Sequence, residues 1–246
     1  MKNRYVFYPT FSNFIESANF SQGNRSVLFA NSYSIALASR YPDYANALSA
    51  ADCLLADGKP LSLLLRLKYL NHFNLIKQQR GIDILKYTLS NSKSGYSNHF
   101  FVGTTDSNLA QIKKVINKQF PNANVIGTYS PNFTDSYENW IKIFINMTEK
   151  STIDYLWIAL GTPKQDLVID LLRKDLKNQN CLILGVGAAV NFITGEIKEA
   201  PNVLKILGFE WLYRFLKEPK RLWKRYTLFN FIFLTRIFID YFGIKL

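Results

Sequence analysis

The sequence predicts an α/β protein: a Rossmann-like, doubly wound, mostly parallel sheet followed by a C-terminal helical, membrane-associating appendage. Three observations carry this. Six short apolar runs each stop at a turn residue, segments of helical period lie between them, and the pattern changes after Gly195. Runs that are apolar throughout read as strands buried on both faces, as in a parallel sheet. Strands alternating with helices give βαβ units with right-handed crossovers. The chain therefore divides into an α/β core over 1–195 and a basic, aromatic helical appendage over 196–246.

The elements follow in order. After a polar start, the first strand covers 26–30 and ends at Asn31, which with Ser32 is a cap candidate for a helix over 33–48. The second, 53–56, ends at Asp57-Gly58, and Pro60 suits the first turn of a helix. Residues 59–80 are helical but less regular, and Lys77-Gln78-Gln79-Arg80 reads as a polar loop. A short helix over 82–89 follows. The third strand, 100–102, ends at Gly103, and its helix, 106–120, stops before Pro121. The fourth, 124–126, ends at Gly127 and leads to a helix over 135–147. The fifth, 155–160, ends at Gly161 before a helix over 163–176, and the sixth, 182–184, ends at Gly185. Beyond Ala200-Pro201 the chain is helical and aromatic, with 12 aromatic residues in the 38 of 209–246, about twice the overall 15%.

Composition bounds the function. A chain of 246 residues with 48% hydrophobic content has a sizeable core and no sign of disorder. Cys53 and Cys181 sit in strand-like runs and read as small buried hydrophobes. His72 and His99 are isolated, so no zinc-type spacing exists, and His99 reads as a strand-edge residue. The N-terminus is basic but has no apolar segment of signal-peptide character, which with reduced cysteines implies the cytoplasm. The net charge is +12, and six basic residues face one acid within 211–226. A local positive stripe implies an anionic partner. Basic residues confined to the tail argue against nucleic acid, whose groove would cross the fold.

Candidate site residues lie at strand ends, outside which ligands bind in parallel α/β folds. Asp57 ends the second strand, and Gly58 turns the chain sharply after it. Asn31 and Gly103 end the first and third. Gly161-Thr162-Pro163-Lys164-Gln165-Asp166 has capping-box spacing, with Thr162 as N-cap, Pro163 at N1 and Gln165 at N3. A helix N-terminus there suits an anion, and Lys164 adds charge for a phosphate. Gly185-x-Gly187 allows close backbone approach to a diphosphate or a neighbouring helix. Arg80 before Gly81-Ile82-Asp83 has the geometry to grip phosphate, or to sit on the surface beside an Asp83 cap. No Asp-x-Asp pair occurs, so metal-held diphosphate is not expected. Arg214, Lys217, Arg221 and Lys224/Arg225 step by three or four and would share one helical face, with Trp211 and Trp223 nearby. The apolar run 228–242 is too short to span a bilayer and reads as surface-embedded or oligomer-burying.

Taken together, Ala56-Asp57-Gly58, Arg80-Gly81-Ile82-Asp83, Gly161 to Asp166, Gly185-Val186-Gly187-Ala188-Ala189, Ala200-Pro201, Gly208 to Arg214 and Glu218-Pro219-Lys220-Arg221 resemble the WecG/TagA/CpsF family of bacterial glycosyltransferases across about residues 25–226. The resemblance implies inverting, metal- and cofactor-independent transfer of an N-acetylmannosamine-type sugar from a UDP donor. The implied acceptor is polyprenyl-linked, and the protein would work peripherally at the cytoplasmic face of the plasma membrane, in teichoic acid or surface polysaccharide synthesis. It implies Asp57 as base, Gln165 and Arg80 as active-site residues, and Arg214, Arg221 and Arg225, with Lys224 beside them, as appendage residues that complete the site. It also brings in Asn191, which stands where the family has an acid. Phe29 in a usual Thr position and Asp166 in a usual Glu position are further departures, and a hexose or uronic acid donor is the variant reading. The rival is a non-catalytic, membrane-peripheral nucleotide-binding module. A homo-oligomer is compatible with either.

Overall fold

The computed structural model describes residues 5–18, 23–68, 76–93, 97–132, 136–176 and 180–242. Six strands, β1 (Arg25–Ala30), β2 (Cys53–Ala56), β3 (Asn98–Gly103), β4 (Asn124–Tyr129), β5 (Tyr155–Ala159) and β6 (Leu182–Gly185), form one parallel sheet in the order β2-β1-β6-β5-β3-β4. All carboxyl ends therefore reach one rim.

Period-two alternation sorts the strand residues between two cores. Val27, Phe29, Cys53, Leu55, Phe101, Trp157 and Leu184 face one side. There they pack on α1 (Phe11–Ser17), α5 (Gly81–Ser90), α6 (Asp106–Gln119) and α9 (Ala189–Thr194). Leu28, Leu54, Phe100, Val102, Leu156, Ile158 and Ile183 face the other. They meet α2 (Ser32–Ala38), α3 (Pro42–Ala50), α7 (Tyr137–Thr148) and α8 (Lys164–Asp175). Helices on both faces make the sheet doubly wound, as expected. Both cysteines are buried thiols.

Several expectations change in detail. The helix expected over 33–48 is two helices, because Pro42 forces the preceding Tyr41 into an extended conformation and starts α3. Strand β4 does not stop at Gly127 but runs on to Tyr129. Gly127 is there to leave room for the Phe100 ring, beside a register shift at His99/Phe100. Helix α1, capped by Thr10, was not foreseen in the polar start. His99 is no edge residue. It lies in the core between β4 and β5, where its Nδ1 accepts from Trp157 Nε1 at 3.1 Å and its Nε2 lies 2.9 Å from Ser92 Oγ. Burial lowers its pKa to about 4, so the ring is neutral. His72 and Asp135 lie outside the described residues.

Gly195 adopts the left-handed conformation and ends α9. Four helices follow: α10 (Asn202–Leu207), α11 (Glu210–Lys217), α12 (Pro219–Tyr226) and α13 (Leu228–Phe242). The basic residues expected on one helix thus fall on two, because Pro219 starts a new helix at Glu218. Helix α13 lies against α2, and Phe233 is buried among Ala30, Ile35, Ala56, Leu61 and Leu65. That settles its inner side as protein packing, while Phe231 and Leu234 stay exposed. Among the described residues, no helix is long and apolar enough to cross a membrane.

Candidate active site

The strand ends and the appendage enclose a cleft of about 630 Å³. Asn31, Asp57, Thr104, Gly161 and Gly185–Gly187 form its core wall, and Glu210, Arg214, Arg221, Lys224 and Arg225 its appendage wall. The local folding of each follows from its strand end. Asn31 closes β1 and caps α2: its Oδ1 accepts from the Tyr33 and Ser34 amides at 3.0 and 3.2 Å. One side chain thus starts a helix and faces the cleft.

Asp57 follows β2. Its amide donates to Ala30 O at 2.8 Å, and Gly58 turns away at φ +95° into α4 (Lys59–Lys68). No described residue hydrogen-bonds the Asp57 carboxylate, so it does not serve as a helix cap. Burial raises its pKa to about 6, and the charge of Glu210 adds to the rise, while Arg214, Arg225 and Arg80 oppose it. The group is ionised at neutral pH and more basic than an ordinary carboxylate.

Gln165 joins two loops. Its Oε1 accepts from the Gly161 amide at 3.2 Å, and its Nε2 donates to Gly185 O at 2.9 Å. A Cβ on Gly185 would lie 3.1 Å from that Nε2, so glycine is what lets the amide in. The expected capping box does not form. Helix α8 begins at Lys164 with Pro163 as its N-cap and no side-chain cap bond. Thr162 sits instead beside the buried Asp166 carboxylate. Asp166 accepts from Tyr44 Oη at 2.8 Å, and burial raises its pKa to about 6 against that bond and its polar neighbours. Asp166 is a core group, not a helix-end charge.

Arg80 is held by carboxylates: Glu199 at 3.1 Å, Glu210 at 3.2 Å from two of its nitrogens, and Asp83 at 3.4 Å. Glu199 also takes Lys86 at 2.9 Å and Lys205 at 2.8 Å. Burial raises the Glu199 pKa, but hydrogen bonds from Lys205, Lys86 and Arg80 outweigh it and hold the group at about 2. The network clamps α5 to α10 and α11, and it leaves Arg80 little charge to offer an anion. Arg214 and Arg225 differ. Each stacks on a core ring, Arg214 over Phe192 at 5.7 Å and Arg225 over Tyr33 at 4.9 Å, and neither pairs with a carboxylate among the described residues. Stacking uses the guanidinium face and leaves its N–H edges for a ligand. Arg221 is partly neutralised by Glu218 at 2.6 Å.

A family model described as glycosyl transferase WecG/TagA/CpsF matches residues 7–245, nearly the whole chain. The chain belongs to the WecG/TagA/CpsF family. That membership gives it a glycosyltransferase role in cell-surface polysaccharide synthesis. Within this WecG/TagA/CpsF fold, Asn31, Asp57, Arg80, Gly161, Thr162, Gln165, Gly185, Gly187, Asn191 and the four appendage cations converge on one cleft. Gly58 lines only an adjoining hollow. Gly103 and Lys164 line neither. A Cβ on Gly103 would lie 2.7 Å from the Ala159 backbone, so this glycine packs β3 against β5 and its neighbour Thr104 faces the cleft. Lys164 points outward and is exposed. Asn191 donates to Glu196 at 2.6 Å. Sequence reading missed Glu199, Glu210, Tyr33 and Phe192. Only Glu210 carried a signal, because it stands inside the motif Gly208 to Arg214.

Proposed function

We propose that this WecG/TagA/CpsF protein transfers a sugar, of N-acetylmannosamine type or a related hexose, from a UDP donor to a polyprenyl-diphosphate-linked acceptor, with inversion. The observation that carries the reading is the contrast within one cleft. A basic Asp57 carboxylate without a hydrogen-bond partner among the described residues faces two arginines without a carboxylate among them. Asp57 takes the proton of an acceptor hydroxyl as that oxygen bonds to the anomeric carbon, and the bond from that carbon to the UDP oxygen breaks. General-base help of this kind contributes on the order of 10²–10⁴-fold. The departing diphosphate gains charge, which Arg214 and Arg225 stabilise. Arg80 and Gln165 act as positioning residues that hold the appendage and the β5 and β6 loops in place.

The protein works peripherally at the inner face of the plasma membrane. The appendage supports this with exposed Val203, Ile206, Leu216 and Trp223 among basic residues, an arrangement suited to an anionic interface. The test is UDP-sugar turnover with a prenyl-diphosphate-linked acceptor in EDTA. Transfer that falls at least about 100-fold in Asp57→Asn supports the reading. Full activity of that variant, or strict metal dependence, would sink it.

A further inference from the structure

The cleft forks at Asp57. Beside the large arm lies a second of about 270 Å³, between the start of α4 and helices α10–α12. The arms share Asn31, Tyr33, Asp57, Glu210, Arg214 and Arg225. Gly58, Lys59, Gln78, Gly208, Trp211 and Tyr226 belong to the small arm alone.

Its chemistry is specific. Trp211 and Tyr226 form an aromatic wall, their ring centroids 5.7 Å apart. Lys59 is fixed in place. Its Nζ donates to Ile206 O at 2.7 Å, and its stem lies under Gly208, where a Cβ would come within 3.2 Å. An ammonium has three donors, so two remain, and Lys59 has no carboxylate partner among the described residues. The flanking helices expose Leu63 and Leu67 on α4, and Val203, Ile206 and Leu207 on α10. An aromatic wall, a fixed cation and an apolar margin fit a sugar on a phosphate with an apolar chain.

Size and stereochemistry separate the two arms. Pockets for whole small ligands run from about 300 to 1,000 Å³, so the large arm accommodates a nucleotide sugar and the small arm does not. Inversion requires the attacking oxygen to approach the anomeric carbon from the side opposite the leaving group. A base at a fork, with donor in one arm and acceptor in the other, meets that requirement. We propose that the small arm is the acceptor subsite, with the acceptor sugar against Trp211 and Tyr226 and its phosphate at Lys59. This rests on the transferase reading above.

The test uses the full chain, a UDP-sugar and an N-acetylhexosamine linked to farnesyl diphosphate. Titration calorimetry measures each ligand's affinity for wild type, Trp211→Ala and Lys59→Gln. Acceptor affinity is expected to fall at least tenfold in both variants while UDP-sugar affinity stays within twofold. Trp211 is already 40% exposed, so its removal leaves the fold intact. UDP-sugar binding together with acceptor affinity indifferent to both substitutions would overturn the subsite alone, as would an equal loss of donor affinity. No UDP-sugar binding by wild type would overturn the transferase reading and the subsite with it.

Discussion

Replacing Asp57 with Asn should stabilise the protein while disabling it. The substitution keeps the shape and removes the charge. The Asp57 pKa is raised from 3.8 to about 6 in the folded state, chiefly by burial. Because the folded value is the higher one, the group's favourable contribution is present below about pH 4 and is lost as pH rises through 6. Above that, folding must hold an ionised carboxylate in a poorly hydrated place. The difference corresponds to a ceiling of roughly 3 kcal/mol, and solvent in the cleft lowers it to about 1–3 kcal/mol. For a chain of this size each kcal/mol moves Tm by about 2–4 °C. Thermal unfolding followed by circular dichroism should therefore show D57N melting roughly 3–8 °C above wild type at pH 8, with little difference at pH 4. Asp166 titrates near the same pH but is present in both proteins and cancels. A Tm difference that is the same at both pH values, or D57N less stable at pH 8, would refute the reasoning.

Other perturbations probe other parts of the site. Glu210→Gln removes a charge that raises the Asp57 pKa, so the acid limb of the pH–rate profile, near pH 6 in wild type, should move lower; an unmoved limb would separate Glu210 from the base. Gln165→Ala breaks the bridge between Gly161 and Gly185 and should cost about 2–4 kcal/mol in urea unfolding at constant m-value; a loss under 0.5 kcal/mol would deny it that role. Phe233→Ala empties the socket between α2 and α13 and should cost about 3–4 kcal/mol, read the same way; a change within 0.5 kcal/mol would mean that α13 does not brace the core.

Much of the fold was legible because its signals are local. Six apolar runs ending in Asn, Asp or Gly read as strands and all six are strands; five are buried on both faces, whereas β4 lies at the sheet edge with Asn124 and Ile126 exposed. Tyr41-Pro42 was just as local and was passed over within a longer helical period. Gly127 misled because a glycine that makes room for a ring looks, in sequence, like a glycine that ends a strand. The same ambiguity set Gly103 in the site when Thr104 is the residue that faces it. Gln165 stood at a capping-box position, yet its partners are a glycine amide and a carbonyl 20 residues on, a tertiary fact no spacing carries. The clamp on Arg80 was illegible for the same reason, since Glu199 and Glu210 are 119 and 130 residues away. The appendage cations were visible as charge, but only the Tyr33 and Phe192 rings distinguish Arg225 and Arg214 from the rest.

The Arg80 clamp bears on engineering by exchange. The C-terminal helices bring Arg214, Arg225, Trp211 and Tyr226, whereas the core brings Asp57 and Lys59. Swapping residues 196–246 between relatives would thus move the Trp211–Tyr226 wall and two cations as one cassette while leaving Asp57 and Lys59 behind. Such a graft is expected to dock only if the recipient supplies an arginine at position 80 to receive Glu210 and a lysine at 59 to close α10, plus a matching socket for Phe233. If the small arm is the acceptor subsite as proposed, new acceptor specificity in this scaffold is a transplant of three contacts, with Asp57 kept in place by the recipient core.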